Sequence, residues 1–408
     1  MPTFKEYRTA VNQIFASNTR GGFIDYYHCR RLGGDMTDLI TEATKELSSY
    51  GEYKELFDLA NKAFLKWGKT DKDDSAGDTQ IFVYYVEQAW NQVYEANDVR
   101  ITHAKMYDWF EKHLDGSVID YMEDILFEYL IHHFPEPELL RRKQDYLMNR
   151  IEKKLQTKES YDQFDADRCR EYLLYVMADM QEPIEKIREA AKDTNTYSVK
   201  ETMAEIEKRY GNLDMVIDIY HELAEEEDKQ KWARDNWHKK LMEIYRDIGD
   251  EQNYRAELLS AMAINIGDID LWNEYKRGFT AEQWPKACEN IFSTIRTGNF
   301  RAFPWYAEEK RYDLIMAGIE AGRYTDALKT YEKMLKVLFP ERCLNVLSHQ
   351  ADELAEQSSS RKEYRKVAKI LQWMQKYPDG KQKAAELAAG YRVKYKHRPA
   401  MMDEIAEF

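Results

Sequence analysis

The stretch RYGNLDMVIDIYHELA, residues 209–224, decides the fold class of this chain. Gly211-Asn212 is a stop signal, because glycine adopts the left-handed conformation that closes a helix. Leu213, Val216, Ile217, Tyr220 and Ala224 then recur at helical spacing, which places them on one face of a new helix. Working outward, the same plan repeats. Val199, Met203, Ile206 and Tyr210 form the stripe before the glycine. Trp237, Leu241, Ile244, Tyr245 and Ile248 form one after it, closed by Gly249-Asp250. Tyr254, Leu258, Met262 and Ile266 follow, closed by Gly267-Asp268, and Tyr324, Ala327, Leu328, Tyr331 and Leu335 make another.

The junctions SYGEYKE (49–55), RYGNLDM (209–215), DIGDEQNY (247–254) and EAGRYTDA (320–327) all end one helix at glycine and start the next. Recurring helix pairs near the tetratricopeptide length of about 34 residues are the mark of a solenoid. The expected fold is therefore all-α, an α-α superhelix of antiparallel helix pairs resembling a tetratricopeptide array. Residues 1–408 are expected to form a single continuous body, with bends near 71–79, 132–138 and 192–198. The segment FRAFPWYAEEK (300–310) reads as an irregular aromatic wedge. Capping boxes are expected at Ser198…Glu201, Thr280…Gln283 and Ser360…Glu363.

Composition agrees. With 17 Gly and 9 Pro there are few turn signals for short strands, while 29 Tyr, 16 Phe and 9 Trp supply the buried area of a large core. The net charge of −14 repels a polyanion at long range and argues against nucleic acid. Cys29, Cys169, Cys288 and Cys343 form no CxxC or CxC, so reduced, buried thiols of a cytoplasmic protein are expected. The opening MPTFKEYRTAV has no apolar stretch of a secretory leader, and no apolar run is long enough to span a membrane.

Candidate chemistry is sparse. DKDDSAGD (71–78) concentrates four carboxylates, but an EF-hand frame from Asp71 puts Ala76 where glycine is needed and Phe82 where a bidentate glutamate is needed. It reads as a surface turn feeding a helix that begins near Gln80. His132-His133 sits at a helix exit set by Pro135 and Pro137, where the rings are solvated or stacked. His221-Glu222…Glu225 is HExxE, which lacks the second imidazole of the HExxH zinc motif. No GxSxG, GxxxxGK[ST] or GxGxxG is present. No catalytic residue, cofactor site or metal site is assigned, and the chain is not expected to be an enzyme. The one local charge anomaly is basic: Lys381, Lys383, Arg392, Lys394, Lys396 and Arg398 stand against Glu386 alone, and are the candidate partner contacts.

Several stretches together resemble the long helical region of bacterial SWIM-type zinc-finger proteins. They are GGFIDYYHCRRLGGDMTDLITEA, YGEYKELFDLANKAF, DKDDSAGDTQIFVYYVEQAW, WNEYKRGFTAEQWPKACENIF, FPERCLNVLSHQADELAEQSSSRKEYRKVAKILQWM and YRVKYKHRPAMMDEIAEF. The third is similar to the DDSDG-type junction of that region. A SWIM finger needs CxC and CxH, and neither occurs, so no zinc ligand carries over. The resemblance implies an interaction scaffold. The function expected is a non-catalytic α-solenoid binding a partner protein or peptide. The alternatives are a nucleic-acid accessory protein using the basic C-terminal helix and a metal-dependent hydrolase using His132, His133 or His221.

Overall fold

Glycine-closed turns and apolar stripes give helices along almost the whole chain, and the computed structural model is all-α. It describes residues 4–114, 116–156, 160–192, 196–226, 230–322 and 324–408. Among them are 22 α-helices, one 3-10 turn and one two-stranded parallel pairing. The chain divides into two compact units, residues 1–216 and 217–408.

The first unit opens with α1 (Phe4–Asn18), β1 (Phe23–Ile24), α2 (Tyr26–Ser49), α3 (Tyr53–Gly68), β2 (Asp71–Lys72) and α4 (Asp78–Ala96). It continues through α5 (His103–Lys112), α6 (Asp120–His132), α7 (Pro137–Leu155), α8 (Ser160–Asp179), α9 (Ile184–Ala191) and α10 (Tyr197–Arg209). The division between units falls inside α11 (Leu213–Glu225). The second unit contains α12 (Lys231–Ile248), α13 (Glu251–Ile264), α14 (Ile269–Arg277), α15 (Trp284–Thr294), α16 (Phe303–Glu308) and α17 (Tyr312–Gly322). Then come α18 (Thr325–Leu338), α19 (Pro340–Gln357), α20 (Arg361–Met374), α21 (Gly380–Lys394) and α22 (Pro399–Glu404). Neighbours in sequence are neighbours in space, as with α7 on α8, α12 on α13 and α19 on α20.

The stripes read from sequence are the buried faces. Val199, Met203, Ile206, Val216, Tyr220, Trp237, Leu241, Tyr245, Leu258, Met262, Leu328 and Leu335 are buried. Ile248, the last residue of its stripe, is instead 50% exposed beside the glycine cap. The cap itself is the expected one: Gly249 has φ +74°, its N–H donates to Arg246 O, and the Asp250 N–H donates to Tyr245 O. Ser360 and Glu363 form the reciprocal capping box, and Thr280 and Gln283 exchange the same pair of bonds. The box expected at Ser198 is displaced, because α10 begins at Tyr197 and leaves Ser198 inside the helix.

Of the stretches where bends are expected, 73–77 and 133–136 lie between helices, while 78–79, 132 and 137–138 belong to helices. α6 gives way to α7 across Phe134, a non-glycine residue at φ +62°. Residues 193–195, within the expected bend at 192–198, lie outside the described residues. Residues 300–310 are more regular than expected. A 3-10 turn (Phe300–Ala302) runs into α16, and Phe303, Trp305 and Tyr306 are buried against the second unit's core.

Tight junctions hold the helices in register. Gly267 has φ +98°, and a Cβ there would lie 2.1 Å from Arg301 O. Gly267→Ala therefore combines left-handed strain with a backbone collision. It should cost about 2–3 kcal/mol in urea unfolding of the full chain, whereas Gly249→Ala, with open space around it, should cost about 1 kcal/mol.

Lys143 is 2% exposed, and its ammonium donates to the carbonyls of Ile131 and His133 at the end of α6. Burial pushes its pKa down to about 8. The charged form is thus disfavoured by folding, so between that value and the ordinary lysine range the unfolded chain holds the extra proton. Wild-type stability should rise relative to Lys143→Met as pH goes from 8 to about 10.4, by at most about 3 kcal/mol. Paired urea titrations across that window measure it.

Candidate functional site

The second unit's core leaves one apolar trough open. α13 presents Leu259, Met262, Ala263 and, just past its end, Ile266. α15 presents Ala287, Asn290, Ile291, Thr294 and the following Ile295. Both sets follow the i, i+3, i+4, i+7 spacing of a single helix face. The trough encloses about 770 Å³, floored by the buried Met262 and Trp305 and closed at one side by Tyr275 and Phe279. Leu259 is 42% exposed, so this apolar face meets solvent rather than another helix. Among the described residues, Arg296, just beyond the α15 C-terminus, is the only charged side chain lining it. Its guanidinium pairs with no carboxylate among the described residues.

The trough is rigidly backed. Trp272 stacks on Phe292 (5.2 Å, 5°) and on Trp305 (4.9 Å, 25°). The Glu309 carboxylate accepts from Trp272 Nε1 (3.0 Å), Trp284 Nε1 (2.9 Å) and Lys276 Nζ (2.7 Å). These bonds hold Glu309 below the usual glutamate range, although burial opposes the shift. Trp305 Nε1 donates to Asp268 O at 2.7 Å, which ties α16 to the start of α14.

The six basic residues singled out in the sequence divide into two groups. Arg392 donates to the carbonyls of Ile405 (3.0 Å) and Phe408 (2.9 Å). Arg398 donates to Ala355 O (2.7 Å) and Ser358 O (3.0 Å), with its guanidinium 4.4 Å from the Tyr395 ring centroid. Both act within the fold. Lys381, Lys383, Lys394 and Lys396 are exposed, and Lys394 lies 4.0 Å from Glu356 and over the Tyr395 ring.

The histidines are placed by stacking and pairing. His133 lies flat on Tyr129 (3.8 Å between centroids, 11°), and His132 meets the Tyr172 ring edge-on at the surface. His221 turns away from its own HExxE partner. Its Nε2 is 2.9 Å from Tyr245 Oη, and its Nδ1 is 3.6 Å from Glu257, a carboxylate also 2.6 Å from His238 Nδ1. The resulting His221–Glu257–His238 arrangement joins α11, α12 and α13, and sequence spacing has no means of pairing those residues.

The acidic stretch at 71–78 is more than a surface turn, and α4 starts at Asp78 rather than near Gln80. β2 pairs in parallel with β1, Phe23 opposite Asp71 and Ile24 opposite Lys72, and the Asp73 N–H extends the ladder to Ile24 O. Asp74 accepts from Thr79 N at 3.1 Å, and Thr79 Oγ1 accepts from the buried Trp67 Nε1 at 2.8 Å. This folds the stretch back onto α2, where the thiol of Cys29, a residue with no exposed surface, lies 3.9 Å from Asp74 Oδ1. Burial pushes that thiol up to about 12, with the Asp74 and Asp78 charges adding to the effect. Burial also raises Asp78, ahead of the repulsion from Asp74. All four cysteines are free and buried.

The chain matches no protein-family model and no curated protein sequence. No described helix is long and apolar enough to cross a membrane.

The division among the basic residues is testable. Arg392→Ala and Arg398→Ala each leave carbonyls unpaired and should lower stability by about 1–2 kcal/mol. Lys381→Ala, Lys383→Ala and Lys396→Ala should stay within about 0.5 kcal/mol of wild type. Thermal denaturation of the five variants side by side distinguishes the two groups.

Proposed function

We propose that this protein is a helical scaffold whose second unit binds an amphipathic helix of a partner protein. The carrying observation is the trough between α13 and α15, two facing helix surfaces with apolar residues at helical spacing and, among the described residues, no third helix between them. A trough of this kind accepts the apolar face of an incoming helix, read as anchors at i, i+3, i+4 and i+7. Charge selects the occupant: the unpaired Arg296 at the rim favours a helix with a carboxylate beside its apolar stripe. The stacked helix pairs within each unit support a solenoid-type scaffold. The structural duties of Arg392 and Arg398 favour this reading over a nucleic-acid interface on the C-terminal helix, since they leave that surface four lysines.

Anilinonaphthalene sulfonate, an apolar anion, serves as the first probe. It should bind the full chain with enhanced fluorescence, lose that enhancement in Ala263→Phe, which fills the trough, and bind more weakly in Arg296→Glu. Two synthetic helical peptides with identical leucine stripes, one flanked by Glu and one by Lys, then compete for the site. Displacement by the Glu peptide, at least about tenfold better than by the Lys peptide, is expected, with the preference reversed in Arg296→Glu. Failure of both peptides to displace the probe overturns the proposal, as does equal competition that Arg296→Glu leaves unchanged.

A further inference from the structure

Cys29 and Gly33 stand one turn apart on α2, on the same helix face. A Cβ at Gly33 would lie 3.1 Å from the Asp78 Cβ, so the glycine is what allows the first residue of α4 to close up beside Cys29. The strand pair brings Asp74 to the same place from the other side. As a result Cys29 Sγ and one carboxylate oxygen each from Asp74 and Asp78 lie within 4.8 Å of one another.

Asp78 is only 9% exposed, and its Oδ2 is a buried oxygen with no hydrogen-bond partner. Leaving a buried carboxylate oxygen unpaired is costly unless something supplies the missing positive charge. Neither neighbouring cation hydrogen-bonds that oxygen: Arg30 acts on Asp78 from Coulombic range, and the half-buried Lys72 is held elsewhere. Lys72 Nζ is held by the carbonyls of Trp67 (2.9 Å) and Thr70 (3.3 Å), with the Trp67 ring 5.3 Å away. Asp78 Oδ2 is therefore left without a hydrogen-bonded cation, with Lys72 turned to backbone oxygen and Arg30 at Coulombic range.

We propose that Cys29, Asp74 and Asp78 form a binding site for one divalent cation of the zinc type. A sulfur and two oxygen ligands suit a borderline-soft ion, and three protein ligands are the number that leaves a fourth position for water. The cavity of about 740 Å³ beside the cluster is lined by Asp74, Lys72 and Tyr121, and it gives that position a route to solvent. On binding, the Cys29 S–H bond breaks, its proton leaves to solvent, and a metal–sulfur bond forms. One dication against a thiolate and two carboxylates leaves a single negative charge, which Lys72 and Arg30 offset from Coulombic range without ligating the ion. This site is independent of the trough in the second unit, and either proposal stands if the other fails.

The test uses the full chain, stripped with a chelator and titrated with Co2+ and then Zn2+. One Co2+ per chain should bind and produce a thiolate-to-cobalt charge-transfer absorption, which one equivalent of Zn2+ abolishes. Cys29→Ser should lose the absorption, and Asp78→Asn should weaken binding by more than about tenfold. Asp78→Asn also removes the unpaired buried charge, so without metal it should melt no lower than wild type, while Zn2+ should raise the melting temperature of wild type only. That readout separates loss of a ligand from loss of the fold. A band that survives Cys29→Ser would place the metal on another thiol and overturn the assignment. Binding that Asp78→Asn leaves unchanged does the same, as does binding that is weak, exceeds one ion per chain and lacks the sulfur band, which means an adventitious ion only.

Discussion

Large indole rings can be buried only if each N–H finds an acceptor, and this requirement locks the helices of the chain to one another. Trp67 donates to Thr79, and Trp90 to Asn61 at 2.8 Å. Trp272 and Trp284 share Glu309, Trp305 uses Asp268 O, and Trp373 donates to Glu332 at 2.6 Å. In each case the ring supplies apolar area and the N–H fixes rotation and register, because an unpaired buried donor costs about 1–3 kcal/mol. The acceptors lie 12 to 41 residues away, so these bonds tie separate elements together.

Buried charge obeys the same rule. Glu207 is 1% exposed and meets the Arg188 fork at 2.6 and 3.0 Å, while Asn212 donates to it at 2.7 Å across the Gly211 turn. Asp165, also buried, is surrounded by Arg150, Lys154 and Arg168. Two of those cations, Arg150 and Arg168, also lie over the Phe127 ring. Most interior ions have a partner of opposite sign, and that is why the exceptions carry information. Asp78 Oδ2 is an interior oxygen with no hydrogen-bond partner among the described residues, whereas Arg296 is an exposed cation at the trough's edge that pairs with no carboxylate among them. One points to a cation and the other to an anionic ligand, in separate units of the chain.

The proposed helix-binding role rests on a groove that the helix packing leaves open. A helix pair buries one apolar face of each member, and a third element normally covers the groove between them. Among the described residues no further helix lies over the groove between α13 and α15, and the Trp272–Trp305–Phe292 stack backs its walls. A stiff apolar groove costs little entropy to occupy, the condition under which a modest area yields useful affinity.

Sequence alone determined the helices, their buried faces and most of their ends. A 3.6-residue stripe such as Trp237, Leu241 and Tyr245 reports its own burial, and a glycine such as Gly249 reports its own left-handed cap. These are local properties, carried by residues within a few positions of each other. Tertiary structure decided everything that depends on distant residues meeting. Sequence offered Arg392 and Arg398 as surface charges, yet backbone carbonyls many positions away claim both guanidinium groups. It offered His221 no partner beyond an incomplete HExxE, and the fold sets it beside Glu257. It took DKDDSAGD for a solvated turn, because nothing within the stretch reveals that a two-residue strand lays Asp74 and Asp78 against a cysteine on another helix. The chemistry of a site is the sum of charges and ligands at one point in space, and only the packed chain defines that point.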